Sequence, residues 1–291
     1  MKAGEWMQGI PYEVAFWNNT YRWHSAFEGL MNWSHLGSVI SLEGFDANGY
    51  LSTIPSPCVY DVGAGLSFAP GNFVEADGER RPLDIHYVDP LASYFNRIAR
   101  RHHRPVPSVE FGMMEHLSSC CPKDCADLVI IQNALDHAAQ PLTGIYEALA
   151  VLRTGGILYL NHHPNEAEVE HYRGFHQWNI MEENGSLIIW NRQQRHNVSQ
   201  LLESFAEVQT QRVAGHVIAL VRKTADVPSA LLSDKDSVPL LTSRLTGSDG
   251  KIRLSDGLRP VLSYWYWNAI QLVAQSFSLR HRMFLKRLLR R

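Results

Sequence analysis

The chain is poor in cysteine. Its 291 residues include four, Cys58, Cys120, Cys121 and Cys125, too few for the disulfide framework of a small secreted domain. Three of them cluster as Cys120-Cys121-x3-Cys125. No second ligand pair at finger-like spacing accompanies them, so no metal is expected. Long apolar runs are missing as well: none reaches the roughly 18 residues of a membrane-spanning helix. No apolar segment stands behind residues 1–6, so no secretory leader and a cytoplasmic location are expected. Charged residues make up only 19% and hydrophobic ones 45%, the balance of a globular chain rather than a disordered one. Acids are absent from residues 278–291, which hold Arg280, Arg282, Lys286, Arg287, Arg290 and Arg291. Those are 6 of 27 basic residues; the other 21 face 29 acidic ones, so the body carries −8 and the whole chain −2. An acidic body argues against the broad basic face of a nucleic-acid-binding enzyme, and no nucleic-acid partner is expected.

What is present begins at residues 59–71, VYDVGAGLSFAPG. Val59, Tyr60 and Val62 form a short buried-strand pattern that ends in Asp61 and the turn Gly63-Ala64-Gly65. Glycines there let the backbone approach a ligand closely. An acid beside the turn repels phosphate and favours a ligand carrying a cation. A second strand, Ile85-His86-Tyr87-Val88, ends in Asp89, where nucleotide-binding α/β folds place the acid that takes ribose hydroxyls. Ser67 and Phe68 stand where a dinucleotide fingerprint has its third glycine, which counts against NAD.

The alternation continues. After a loop and helix, strand 84–88 leads to a helix opened by Pro90-Leu91-Ala92 and running to about Arg101. Strands follow at 109–111, 127–132 and 157–160, with a helix over 142–152 that Gly155-Gly156 stop. Two closing strands lie at 208–213 and 216–221. The fold expected is α/β, a Rossmann-like, seven-stranded, mostly parallel, doubly wound sheet. Residues 1–54 form an N-terminal helical cap, equally a lid or a packing layer. Residues 55–224 form the binding domain, with a hairpin insertion at about 174–192 marked by Asn184-Gly185. Residues 225–260 form a loop-rich connector and 261–291 a basic amphipathic tail.

Taken together, these residues resemble the class I S-adenosylmethionine (SAM)-dependent methyltransferases over about residues 55–222. SAM carries a sulfonium and an ammonium, the cations that the acid beside the turn favours. Asp61-x-Gly63-x-Gly65 is similar to that family's first motif and Asp89 to its second. Asp127-Leu128-Val129-Ile130 with Asn133-Ala134-Leu135-Asp136-His137 resembles its fourth-strand motif, and Leu152-Arg153-Thr154-Gly155-Gly156 the turn before strand five. Asp89-Pro90-Leu91-Ala92, Asn165-Glu166-Ala167-Glu168 and Gly174-Phe175-His176-Gln177-Trp178-Asn179 resemble a bacterial subgroup associated with surface-polysaccharide gene clusters. The resemblance implies SAM as cofactor, held by Asp61, Gly63, Ala64, Gly65, Asp89, Leu91 and Asn133. Met113 replaces an acid common in relatives, so Met114 or Glu115 is expected to take over the adenine contact. It implies methyl transfer to a hydroxyl, that of a sugar or glycan. The rivals are a small-molecule O- or N-methyltransferase of secondary metabolism and an inactive SAM-fold protein used for binding or assembly.

A hydroxyl acceptor needs a base. Five residues compete: Asp136 and His137 after strand four, His162 and His163 after strand five, and His176 in the insertion. In the insertion, Trp178 is placed to stack on a sugar, with Gln177 and Asn179 to bond its hydroxyls. In the tail, Leu279, Met283, Leu285, Leu288 and Leu289 share one helical face below the aromatic run Tyr264-Trp265-Tyr266-Trp267. That pattern fits peripheral contact with an anionic membrane through residues 261–291, or packing on the body or on a second copy as a homo-oligomer.

Overall fold

The computed structural model describes residues 6–232, 245, 249–253 and 258–275. Seven strands form the central sheet: β1 (Cys58–Val62), β4 (Asp84–Asp89), β5 (Glu110–Phe111), β6 (Ala126–Gln132), β7 (Leu152–His162), β11 (Ala206–Val213) and β12 (His216–Lys223). Their order is β11-β12-β7-β6-β1-β4-β5. The five strands from β7 to β5 pair in parallel, while β12 is antiparallel to both its neighbours. This is the Rossmann-like doubly wound sheet that the sequence predicts. The order reverses at β1, which opens a crevice above the carboxyl ends of β1 and β6.

The central strands carry continuous apolar runs, Leu128 to Ile131 in β6 and Ile157 to Leu160 in β7, because both faces are covered. In β6, Val129 and Ile131 face a layer containing Ile145, Leu149 and Leu202, while Leu128 and Ile130, with Val59 and Tyr159 beside them in the sheet, face Leu51. The first layer comes from α5 (Pro141–Val151) and α6 (Val198–Leu202), the second from α3 (Ala47–Ser52). Pro141 starts α5, where a missing N–H costs nothing. Asp46 caps α3 by accepting from Gly49 N at 2.8 Å.

The N-terminal segment is helical: α1 (Ile10–Arg22) and α2 (His24–Met31). Trp6, Ile10, Val14 and Tyr21 are buried against Leu66, Phe68 and residues of α4 (Ala92–Arg101). The Tyr21 hydroxyl donates to Leu66 O at 2.9 Å, and a Cβ at Gly65 would lie 2.8 Å from the Trp17 ring. The cap is therefore seated on the glycine turn itself. The last described helix, α7 (Leu258–Gln275), lies against α1.

Two local expectations are corrected. The helix predicted between β1 and β4 is instead a hairpin, β2 (Phe73–Ala76) and β3 (Glu79–Pro82), turned at Asp77-Gly78 with φ of 51° and 79°. Both central turn residues are left-handed, the requirement of the tight turn that Asp-Gly favours. The insertion has three strands rather than two, β8 (Asn179–Glu183), β9 (Ser186–Trp190) and β10 (Arg195–Asn197), in the order β10-β9-β8. Its Asn184-Gly185 turn is where the sequence places it. Among the described residues no helix is long and apolar enough to cross a membrane. The basic residues of 278–291 lie outside the described residues.

Candidate functional site

A cavity of about 860 Å³ lies over the carboxyl ends of the strands at the order reversal. Its floor is the turn after β1. Gly63 has φ +72°, its N–H donates to Val88 O at 2.8 Å, and a Cβ there would overlap that of Ala134. Only glycine meets both demands. Asp89 ends β4 on the rim. Its Oδ2 accepts Gly65 N–H at 3.1 Å and its Oδ1 accepts Leu91 N–H at 2.8 Å, so the second acid holds both the turn and the start of α4.

Gly63, Ala64, Gly65, Asp89, Leu91, Met114, Glu115 and Asn133, all singled out in the sequence, line this cavity. Asp61 does not; it is buried in β1 behind the turn. Burial, and then the charge of Asp89, push the Asp61 carboxyl up to about 7. Burial raises Asp89 to about 7 as well, against the pull of its two backbone N–H donors. Two acids so placed are poised to ionise when a cation arrives. Glu115, also raised by burial, accepts from Ala139 N at 2.7 Å and Gln140 N at 3.3 Å, which ties it to the loop after β6.

The competing acid–base candidates separate. His176 Nδ1 lies 2.7 Å from Asp136 Oδ2, and His137 Nε2 lies 3.2 Å from the same nitrogen. His137 and His176 line the cavity, with Asp136 buried behind them. For Asp136, burial favours the neutral acid, but His137 and the His176 hydrogen bond outweigh it and hold the carboxyl at about 2. For His176, burial disfavours the cation, yet the Asp136 hydrogen bond and charge leave it raised. Two segments far apart in sequence meet here because Gln177 N donates to Asp136 O at 3.1 Å and Trp178 Nε1 to Ala138 O at 3.0 Å.

His162 ends β7 and His163 follows it, and neither lines the cavity. His162 is 1% exposed, its ring nitrogens have no hydrogen-bond partner among the described residues, and burial lowers it to about 4. His163 is exposed, with its ring 4.3 Å from that of His216 and its N–H donating to Asn133 Oδ1 at 3.1 Å. The sugar-facing roles expected in the insertion are corrected. Trp178 is buried and donates to Ala138 O. Gln177 Nε2 donates to Tyr172 O and Gly174 O. Asn179, fully buried, accepts from Glu168 N and donates to the Tyr172 hydroxyl. These groups hold the insertion together and are already paired.

The opposite wall was not assigned from sequence. Trp6, Tyr12, Glu13, Phe16 and Trp17 reach the cavity from the N-terminal segment and α1. Trp33, His35, Ser41 and Glu43 come from the stretch after α2, and Asn161 and His216 from β7 and β12. His216 Nδ1 and Asn161 Oδ1 are 2.7 Å apart. The Trp-rich beginning of the chain was the available signal; its residues pack on α4 and also line the cavity. Among the described residues that line the cavity there is no Lys or Arg.

No family model matches the chain, and no curated protein matches it. Solved structures do. A T. thermophilus 16S rRNA N2 G1207 methyltransferase, in complex with AdoMet and guanosine, is 14% identical with a TM-score of 0.35, over 66% of this chain and 42% of its own. The CurJ carbon methyltransferase is 12% identical with a TM-score of 0.38, over 60% of this chain and 51% of its own. A Burkholderia thailandensis 1,6-didemethyltoxoflavin-N1-methyltransferase, with 1,6-didemethyltoxoflavin and S-adenosylhomocysteine bound, is 15% identical with a TM-score of 0.41, over 77% of this chain and 92% of its own. The chain thus spans about half the length of the first two.

Proposed function

We propose that this protein is a SAM-dependent methyltransferase whose acceptor is the hydroxyl of an uncharged sugar, in keeping with the sequence resemblance to enzymes of bacterial surface-polysaccharide synthesis. One observation carries the reading: a single cavity joins the Gly63–Gly65 turn and Asp89 to the Asp136–His137–His176 cluster, with acids and no Lys or Arg around it. A sulfonium donor suits that lining, because acids attract its charge. A phosphorylated acceptor suits it less, because the described lining holds acids and no Lys or Arg. Trp33, His35 and Glu43 offer an aromatic face and polar groups to a sugar.

The chemistry follows from the arrangement. The cavity aligns acceptor oxygen, methyl carbon and sulfur, which supplies most of the rate for an activated donor. The oxygen forms its bond to carbon as the carbon–sulfur bond breaks, leaving S-adenosylhomocysteine. The acceptor proton passes to the Asp136–His176 pair, in which the carboxylate orients and stabilises the imidazole.

Calorimetric titration with SAM, followed by turnover of labelled SAM on neutral glycosides, tests this. His176→Ala should keep SAM affinity and lose about 10²–10⁴-fold in turnover. A chain that binds no SAM would sink the reading, and methyl transfer to nitrogen alone would move it to the small-molecule alternative.

A further inference from the structure

The three groups of the Asp136 cluster bring their ligand atoms together at the cavity wall. Asp136 Oδ2, His137 Nε2 and His176 Nδ1 are separated by 2.7, 3.2 and 3.6 Å. All three can present a lone pair: the carboxylate oxygen does so when ionised, and each ring nitrogen does so in the tautomer that carries its proton on the other nitrogen. Such a triangle matches the ligand face of a small divalent ion. With bonds of about 2.0–2.2 Å, ligand atoms around tetrahedral zinc stand about 3.3–3.5 Å apart, and cis ligands of an octahedral ion about 3 Å apart.

We propose that Asp136, His137 and His176 bind one first-row divalent transition-metal ion, with its remaining positions open to the cavity. Two imidazoles and one carboxylate select for this class over Mg²⁺ and Ca²⁺, which favour all-oxygen sites. The ligands are held before any ion arrives. Asp136 is buried, with its side chain 6% exposed, and the segments bearing Asp136 and His176 are stapled by the Gln177–Asp136 and Trp178–Ala138 hydrogen bonds. The Trp6 indole N–H donates to His137 O at 2.9 Å, so the cap pins the third ligand. Preorganisation of this kind is what a metal site requires of its supporting residues. The opening also faces the right way: His137 and His176 line the cavity that Gly63 and Asp89 line. An acceptor hydroxyl bound to the ion there would be a stronger acid than in water, and with Asp136 Oδ2 and His176 Nδ1 on the ion its proton would go to water in the cavity in place of that pair.

A second grouping, Cys58, Asp84 and His86, also brings three ligand atoms together. It sits at the amino ends of β1 and β4, away from the cavity, where His86 already contacts Glu110 at 2.9 Å. It serves as the internal control.

The inference extends the methyltransferase reading, but its test does not depend on methyl transfer. Full-length protein stripped with chelator is titrated with Co²⁺, followed by visible d–d absorption, and with Zn²⁺ by calorimetry. One ion per chain is expected. His137→Ala and His176→Ala should each weaken uptake at least tenfold, since even outer-shell losses cost 10–100-fold, while His86→Ala should leave it unchanged. Circular dichroism checks that each variant folds. If one does not, protection of His137 and His176 from diethyl pyrocarbonate by Co²⁺ in the wild type replaces it. Absent saturable uptake, uptake abolished only by His86→Ala, or unprotected His137 and His176 would overturn the site. Intact SAM binding in that case would leave the methyltransferase reading standing, with Asp136–His176 as a plain proton acceptor.

Discussion

Asp61 and Asp89 show what single residues contribute to the site. Both carboxyls are raised from 3.8 to about 7, first by burial, and for Asp61 then by Asp89. The charged and titratable groups around them come from three elements: Glu13 on α1, Tyr87 on β4 and the two acids themselves. Because the folded chain holds these protons more tightly than the unfolded chain, it binds more protons between about pH 4 and 7. Stability of the ligand-free protein should therefore fall as pH rises through that window. A cationic donor prefers the ionised pair, so SAM affinity should rise by several-fold from pH 5.5 to 7. Calorimetry at three pH values checks this, and Asp61→Asn should flatten the slope. A pH-independent affinity would refute the role given to these acids. Their positions after two strands were legible in the sequence, because strand ends and glycines are local signals. Their mutual coupling was not, since it depends on Asp89 reaching back to Gly65.

At the scale of elements, α1 connects site and scaffold. Asn19, fully buried in α1, donates to Ala15 O at 2.8 Å and to Asn268 Oδ1 of α7 at 2.9 Å. Asn19→Ala leaves Asn268 without that donor and should cost about 1–3 kcal/mol. The expected result is a lower melting temperature and faster amide exchange in α7; unchanged exchange there would show that the helices are not coupled through this residue. The elements also show which signals a chain carries openly. Asn184-Gly185 marked its hairpin because a two-residue turn is specified by its own backbone. Asp77-Gly78 carries the same signal, although a helix is the commoner element after a glycine turn. Beside that turn stands α1, whose Trp17 and Tyr21 meet Gly65 and Leu66.

For the whole molecule, the outward face of α7 bears on location. Leu258, Leu262, Trp265, Tyr266 and Val273 are all more than half exposed. At about 100° per residue they fall within an arc of about 100° on one side of the helix. An apolar stripe that leads toward six basic residues and no acid suits the surface of an anionic bilayer. We expect full-length chain to co-sediment with phosphatidylserine vesicles, to release at high salt, and to lose binding in the Trp265→Ser, Leu262→Ser double variant. Equal recovery with neutral vesicles, or dimerisation through this face instead, would reject a lipid role.

The amino-acid sequence by itself determined the class of the sheet and the glycine–acid rim, because hydrophobic period, turn chemistry and strand-end acids act over a few residues. Tertiary structure alone decided which of five acid–base candidates meet. His162 and His163 are two of the four histidines among them, yet at the end of β7 one turns into the core and the other to solvent. His176, about 40 residues from Asp136, reaches it only because the insertion folds back over the crevice and is stapled there by two backbone-directed hydrogen bonds.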